Sequence, residues 1–252
     1  MRGDRRTIFV GDVHGCCAEL DTLLAKVEYA PDRDRLLLTG DAFTRGPDPL
    51  GVWQRIRGSS AEMVMGNHDD ELLAELRTIA AGRDPKPAYG DRNETLRVLS
   101  TQGEELVAWL AALPLYIEES AFLLVHAGID PERGLGGTTR DQFLTIRTWP
   151  PDGGISGPRW HEHLDERHRV PGRPIVYGHD APQGLLVKRF PEAANGARPG
   201  LVALDSGCVF GNALSAYLLE EDRIVQVPAQ RRWIERGSFS YIPRGVQPPS
   251  DP

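Results

Sequence analysis

The sequence holds three cysteines in 252 residues, Cys16, Cys17 and Cys208, and two of them are adjacent. An odd count with an adjacent pair argues against a disulfide framework, so a packed core must hold the chain and a reducing cytoplasm is the expected compartment. Long apolar runs are missing too. Nothing approaches the roughly 18 consecutive apolar residues of a membrane span. The basic N-terminus, MRGDRRTIFVGDVHG, has no apolar stretch of signal-peptide length. No membrane partner is expected. A surplus of positive charge is also lacking: the net charge of −7 argues against a broad nucleic-acid surface, duplex DNA included. A local basic pocket remains compatible with it.

What is there is ordinary globular material. A hydrophobic share of 40% beside 26% charged residues is enough for one sizeable core. The first half alternates strand-like and helix-like stretches, with polar motifs at the junctions. Thr7–Val10, Arg35–Thr39 and Glu62–Met65 read as buried strands. Cys16–Tyr29, Pro49–Arg57 and Asp69–Ala80 read as helices, and Glu94–Leu113 as one more. Short apolar runs dominate later: Leu115–Ile117, Phe122–Val125, Ile175–Tyr177, Leu201–Leu204, Ala213–Leu219 and Ile224–Val227. They suggest a more antiparallel second sheet packed against the first. The expected fold class is α/β, a two-sheet sandwich flanked by helices, in a single domain over 1–241. Pro150–Pro174 is irregular and polar, and could overhang a site. The segment 242–252 is rich in proline, glycine and serine and reads as a flexible tail.

The chemistry is concentrated where strands end. Asp12 and His14 lie in Gly11-Asp12-Val13-His14-Gly15 after the first strand. Asp41 follows the second in Gly40-Asp41, and Asn67 and His68 follow the third in Gly66-Asn67-His68-Asp69. His126 closes the run Phe122–Val125, and His179 stands one glycine beyond Ile175–Tyr177. A lone Gly-Asp after a strand is usually a turn, and a lone histidine there is usually a hydrogen-bonded structural residue. Four of the seven histidines in such places, three of them directly beside Gly, Asp or Asn, are a different matter. They form an oxygen and nitrogen ligand set suited to divalent ions, with carboxylates able to bridge. Two such ions can clamp phosphoryl oxygens and acidify a water between them. His161, His163 and His168 fall together in WHEHLDERHR, where a solvated helix or loop is the simpler reading.

GDVHG, GDAFTRG, GNHD, HAG and GH, in this order from about Ile8 to Val227, resemble the phosphoprotein-phosphatase superfamily of metallophosphoesterases. The resemblance implies a β-sandwich with two metals at the C-terminal ends of the strands. Motif by motif, Asp12 and His14 would hold the first ion, Asp41 would bridge, and Asn67, His126 and His179 would hold the second. His68 would be the general acid, and Arg45 would grip the phosphate with its bidentate guanidinium. A second phosphate-binding arginine is usual; Arg147, between HAG and GH, is the first choice and Arg140 the alternative.

Two departures narrow the substrate. In GDAFTRG, Thr44 stands where protein phosphatases of the superfamily carry the carboxylate that supports the acid histidine, and Asp69 follows the GNH. Without that carboxylate His68 is a weaker proton donor. A serine alkoxide needs the proton as it leaves; a nucleoside diphosphate hardly does. With Arg45-Gly46-Pro47, Val125–Ile129 and Ala203–Cys208, the pattern resembles the bacterial symmetrical diadenosine tetraphosphate hydrolases. Asp130–Pro174 does not follow that branch's pattern. Cys208 reads as a small buried hydrophobe.

The resemblance implies metal-dependent hydrolysis of a dinucleoside tetraphosphate at its central anhydride, by a hydroxide between the metals. The alternative is a phosphoprotein Ser/Thr phosphatase or broad phosphomonoesterase. Mn2+ is the expected ion, with Co2+, Mg2+, Fe or Zn2+ as others; the absence of thiolate among the ligands places Mn2+ and Co2+ ahead of Zn2+. Nucleotide-capped RNA 5′ ends are a further expected substrate.

Overall fold

A computed structural model describes residues 5–85, 91–151, 156–190 and 198–234 of the chain. The tail expected over 242–252 lies outside the described residues. Among the described residues, ten strands form two five-stranded sheets. The first has the order β10-β9-β1-β2-β3, from β1 (Arg6–Val10), β2 (Asp34–Leu38), β3 (Glu62–Met63), β9 (Ala213–Leu218) and β10 (Arg223–Pro228). The second has the order β4-β5-β6-β8-β7, from β4 (Tyr116–Glu118), β5 (Leu123–Val125), β6 (Ile175–Tyr177), β7 (Leu186–Lys188) and β8 (Leu201–Ala203).

Period-two alternation explains the layers. Phe9, Leu37, Leu124, Val176, Val202 and Tyr217 point between the sheets and form one core. Their neighbours Ile8, Val10, Leu36 and Leu38 face the other way, into the helices α1 (Cys17–Lys26), α2 (Pro49–Ser59) and α3 (Asn67–Ala80). On the far side Leu123, Val125, Ile175 and Tyr177 meet Phe143 and Trp160. Strands buried on both faces read as continuous apolar runs, which is what made them visible.

The two-sheet sandwich is as expected, but three details differ. The stretch Glu94–Leu113 is not one helix. It splits into α4 (Asp91–Leu99) and α5 (Gly103–Ala111) around a single tight turn. There Ser100 and Thr101 hydroxyls donate back to the Arg97 and Val98 carbonyls, and Gly103 takes φ +63°. The second sheet is not mainly antiparallel: β5, β6 and β8 pair in parallel, and only its edge strands β4 and β7 run against their neighbours. The chain between these central strands is long enough for crossovers. The antiparallel pair β9–β10 completes the first sheet instead, through β9 beside β1. Within the segment that matched no pattern lies α6 (Arg140–Thr145), started by a capping box between Thr139 and Gln142.

Candidate metal centre

Parallel strands bring their C-terminal turns to one edge, and the sequence-derived residues meet there. One ligand atom from each of Asp12, His14 and Asp41 falls within 4.8 Å of the others, and the same holds for Asp41, His126 and His179. Asp41 belongs to both groups, and its two oxygens diverge. Oδ1 lies 3.6 Å from His126 Nε2, whereas Oδ2 lies 3.7 Å from His14 Nε2 and 4.0 Å from His68 Nε2. All five side chains of the two groups are buried.

The backbone is bent to achieve this. His14, Asp41, Arg45 and His179 take φ of +47°, +51°, +79° and +68°, the left-handed region that non-glycine residues rarely occupy. Such strain persists only where the surroundings over-determine it. They do so here: the His14 amide donates to the Asp41 carbonyl (2.9 Å), and the His179 amide to Asp12 Oδ2 (3.0 Å). Gly178 admits the Asp12 carboxylate against its α-carbon, where any Cβ would collide with Oδ1. Gly66 is packed in the same way against Asp41 Oδ1.

Hydrogen bonds fix which ring nitrogens face the cluster. His126 Nδ1 donates to the Thr39 carbonyl (2.8 Å), which leaves Nε2 with its lone pair. That lone pair faces Asn67 Oδ1 at 3.1 Å. Two acceptors so close are poor hydrogen-bond partners and good joint ligands of a cation. His179 Nε2 donates to the Thr145 carbonyl (3.2 Å), which leaves Nδ1 with its lone pair, and its ring centroid lies 4.9 Å from that of His126. Electrostatics agree with the donor chemistry. Burial, then the charges of Asp205 and Asp41, holds the Asp12 carboxyl well above its ordinary range; burial raises Asp41 to about 7. Burial also lowers His126 to about 4 and pushes His14 and His179 well down, so their imidazoles stay neutral. Buried carboxylates beside neutral imidazoles, with no thiolate, suit divalent ions.

Of the remaining candidates, Arg45 Nη1 lies 3.5 Å from His14 Nε2, and its guanidinium sits over the Phe210 ring. Arg147 follows α6 and donates from Nη2 to the His179 carbonyl (2.9 Å). Arg140 points elsewhere, pairing with Asp70 at 2.8 Å on the surface. Thr44 is 2% exposed and its hydroxyl has no hydrogen-bond partner among the described residues. Asp69 is wholly buried and accepts from the Asp41, Ala42 and Gly66 amides.

Sequence reasoning missed two acids. Asp205, after β8, is buried against the cluster, its charge acting on Asp12, and accepts from the Gly207 amide (3.1 Å). Asp180 is buried between Arg159 (2.7 Å) and Arg147 (3.7 Å). Asp205 follows an apolar run, as Asp41 does, but lacks the adjacent glycine that marks Asp41. His161 also departs from expectation: it is buried, not solvated, and its Nε2 meets Gln183 Oε1 at 2.9 Å.

This arrangement offers ligand groups suited to divalent ions, and comparison with known proteins shows a metallophosphoesterase. The chain belongs to the calcineurin-like phosphoesterases, whose sequence profile matches residues 5–218. That membership implies divalent metal ions, for which the two ligand groups are a possible site. Among its relatives are the symmetrical bis(5′-nucleosyl)-tetraphosphatases of Erwinia tasmaniensis and Bordetella pertussis. The first is 31% identical, covering 89% of this chain and 98% of that protein. The second is 32% identical, covering 92% and 98%. A crystal structure of a proposed diadenosine tetraphosphatase superposes with a TM-score of 0.72 at 27% identity, over 90% of this chain and 95% of its own. A Saccharomyces cerevisiae Ser/Thr phosphatase shares the fold, with a TM-score of 0.56 at 14% identity, over 94% of this chain and 83% of its own. No helix among the described residues is long and apolar enough to cross a membrane.

Proposed function

We propose that this metallophosphoesterase cleaves dinucleoside tetraphosphates, diadenosine tetraphosphate above all, at the central anhydride, releasing two nucleoside diphosphates. The observation that carries the chemistry is Asp41, whose two oxygens serve separate histidines across the cluster. The substrate rests on the likeness to tetraphosphatases along nearly their whole length.

Asp12 and His14 would hold one ion, Asn67, His126 and His179 the other, and Asp41 both. Bound there, the ions supply an acidified water and neutralise phosphoryl charge. Arg45 and Arg147 would both bind the phosphate, adding charge where it develops in the transition state. His68 stands 4.0 Å from Asp41 Oδ2 and delivers a proton to the departing diphosphate. Thr44 gives His68 no carboxylate support, which an anhydride tolerates and an alkoxide does not. Mn2+ fits the oxygen and nitrogen donors, with Co2+ next. RNA 5′ ends capped through a tetraphosphate present the same anhydride. Three free cysteines fit a reducing cytoplasm.

Product analysis on diadenosine tetraphosphate with Mn2+ tests the reading. ADP alone supports it. AMP with ATP, or faster turnover of a phosphopeptide, refutes it.

A further inference from the structure

We propose that Cys16, Glu19 and Cys208 form a separate structural cation site for a soft divalent ion of the zinc class. One ligand atom from each lies within 4.8 Å of the other two, and the residues are 0%, 2% and 1% exposed. The three come from distinct pieces of chain. Cys16 follows the GDVHG turn as the cap of α1, and Glu19 lies in the first turn of that helix. Cys208 opens the turn after β8, next to Gly207 at φ +72°.

Glu19 is the second, independent observation. Its Oε1 accepts from the Gln230 amide (2.9 Å) and from Trp233 Nε1 (3.3 Å). Its Oε2 is buried and meets no donor among the described residues. Leaving a buried acceptor unsatisfied costs roughly 1–3 kcal/mol, and more when the group is charged. Cys16, Leu20, Cys208 and Val209 belong to the apolar core. A cation between that oxygen and the two sulfurs removes the deficit.

Zinc bonds of about 2.3 Å to sulfur and about 2.0–2.2 Å to oxygen place ligand atoms within the observed spacing after small side-chain shifts. Binding releases two thiol protons to solvent and leaves the site with one net negative charge. Thiolates select soft ions, so this cluster and the oxygen–nitrogen centre sort two kinds of metal. The ion would tie the turn bearing Asp12 and His14 to the turn bearing Asp205 and to Gln230–Trp233. Its effect is on stability, through binding to the folded state alone. None of its three residues is in the proposed hydrolytic ligand set, although Cys16 Sγ donates to the His14 carbonyl at 3.8 Å.

Cadmium titration of the full chain, already loaded with Mn2+, tests this, because the thiolate-to-cadmium absorption band is blind to oxygen and nitrogen ligands. One ion per chain should develop the band, zinc should displace it, and zinc should raise the melting temperature. Cys16→Ser and Cys208→Ser should each weaken binding at least tenfold and halve the band. Glu19→Gln should weaken binding at least tenfold with both sulfurs still reporting, and Cys17→Ser should change nothing. No band in the reduced wild-type protein overturns the site, whatever the variants do. So does a band that survives Cys208→Ser at full height or disappears with Cys17→Ser. Melting curves on each variant separate lost folding from lost binding.

Discussion

Asp41 and Asp69 are joined through one backbone amide: the Asp41 N–H donates to Asp69 Oδ2 at 2.6 Å. The same Asp69 oxygen accepts from Gly66, and its other oxygen from Ala42. One buried carboxylate therefore welds the turn after β2 to the start of α3, and so sets where Asp41, Asn67 and His68 stand. Burial, with the charge of Asp41 adding to it, raises Asp69 to about 7.

Replacing Asp69 by Ala leaves three buried amides without acceptors. Each unsatisfied donor costs about 1–3 kcal/mol, so a loss of several kcal/mol is expected. Catalysis should fall about 10–100-fold, the usual effect of removing an outer partner of a metal ligand. Urea unfolding and manganese-dependent turnover check the two effects. A variant with wild-type stability contradicts the bracing role.

Asp41→Asn should separate stability from activity. The amide keeps an oxygen for the His68 N–H, which donates to Asp41 Oδ1 at 2.9 Å, and removes a buried charge. The metal-free protein should therefore melt no lower than wild type. With the proposed anionic bridge gone, metal content should nonetheless fall below two ions per chain and turnover by more than about 100-fold, beyond the effect of outer partners. Elemental analysis beside turnover decides it.

Thr44→Asp places a carboxylate where the hydroxyl is buried without a partner. The ratio of phosphomonoester to tetraphosphate turnover should rise by about tenfold, because a supported imidazolium helps the poorer leaving group most. An unchanged ratio in a folded variant rules out the leaving-group argument.

Arg147 and Arg140 should behave differently. Arg147→Ala removes a guanidinium held at His179, and kcat/KM should drop at least about 100-fold, as loss of a charge-stabilising donor does. Arg140→Ala cuts only an exposed pair with Asp70, worth about 0–1 kcal/mol, and should leave turnover within twofold. Steady-state kinetics on both variants distinguish them.

The contrast shows what the sequence makes legible. Asp12, Asp41 and His179 follow buried apolar strands beside glycine, so local pattern alone places them at the ends of strands. Asp205 follows an apolar strand without the adjacent glycine, and its nearness to Asp12 depends on β8 pairing in parallel with β6, a long-range contact with no local mark. His161 owes its burial to Gln183 and Trp160, neighbours supplied by loops. Arg147 and Arg140 both lie between HAG and GH, so order along the chain does not separate them; the short helix that starts at Arg140 turns one inward and the other out.

Acid stability should report on Asp34, far from the metal cluster. Its side chain is fully buried; both oxygens accept from Arg6, at 3.0 and 2.8 Å, and Oδ2 also accepts from the Ala30 amide at 2.8 Å. Burial alone would raise this carboxyl, but the bonds from Arg6 and Ala30 outweigh it and hold it below its ordinary value. A carboxyl depressed in the folded state binds its proton more readily when unfolded. Its contribution is therefore fully present above the unfolded pKa, about 3.9, and is lost as pH falls through the lower folded value. Asp34→Asn should cost about 1.5–3 kcal/mol at pH 7, the worth of a hydrogen bond to a charged group. It should also flatten the fall in stability below about pH 4, because the variant has no proton to take up there. Urea unfolding of both proteins from pH 7 down to pH 3 measures both effects, and parallel acid limbs would show that Asp34 is not the group responsible.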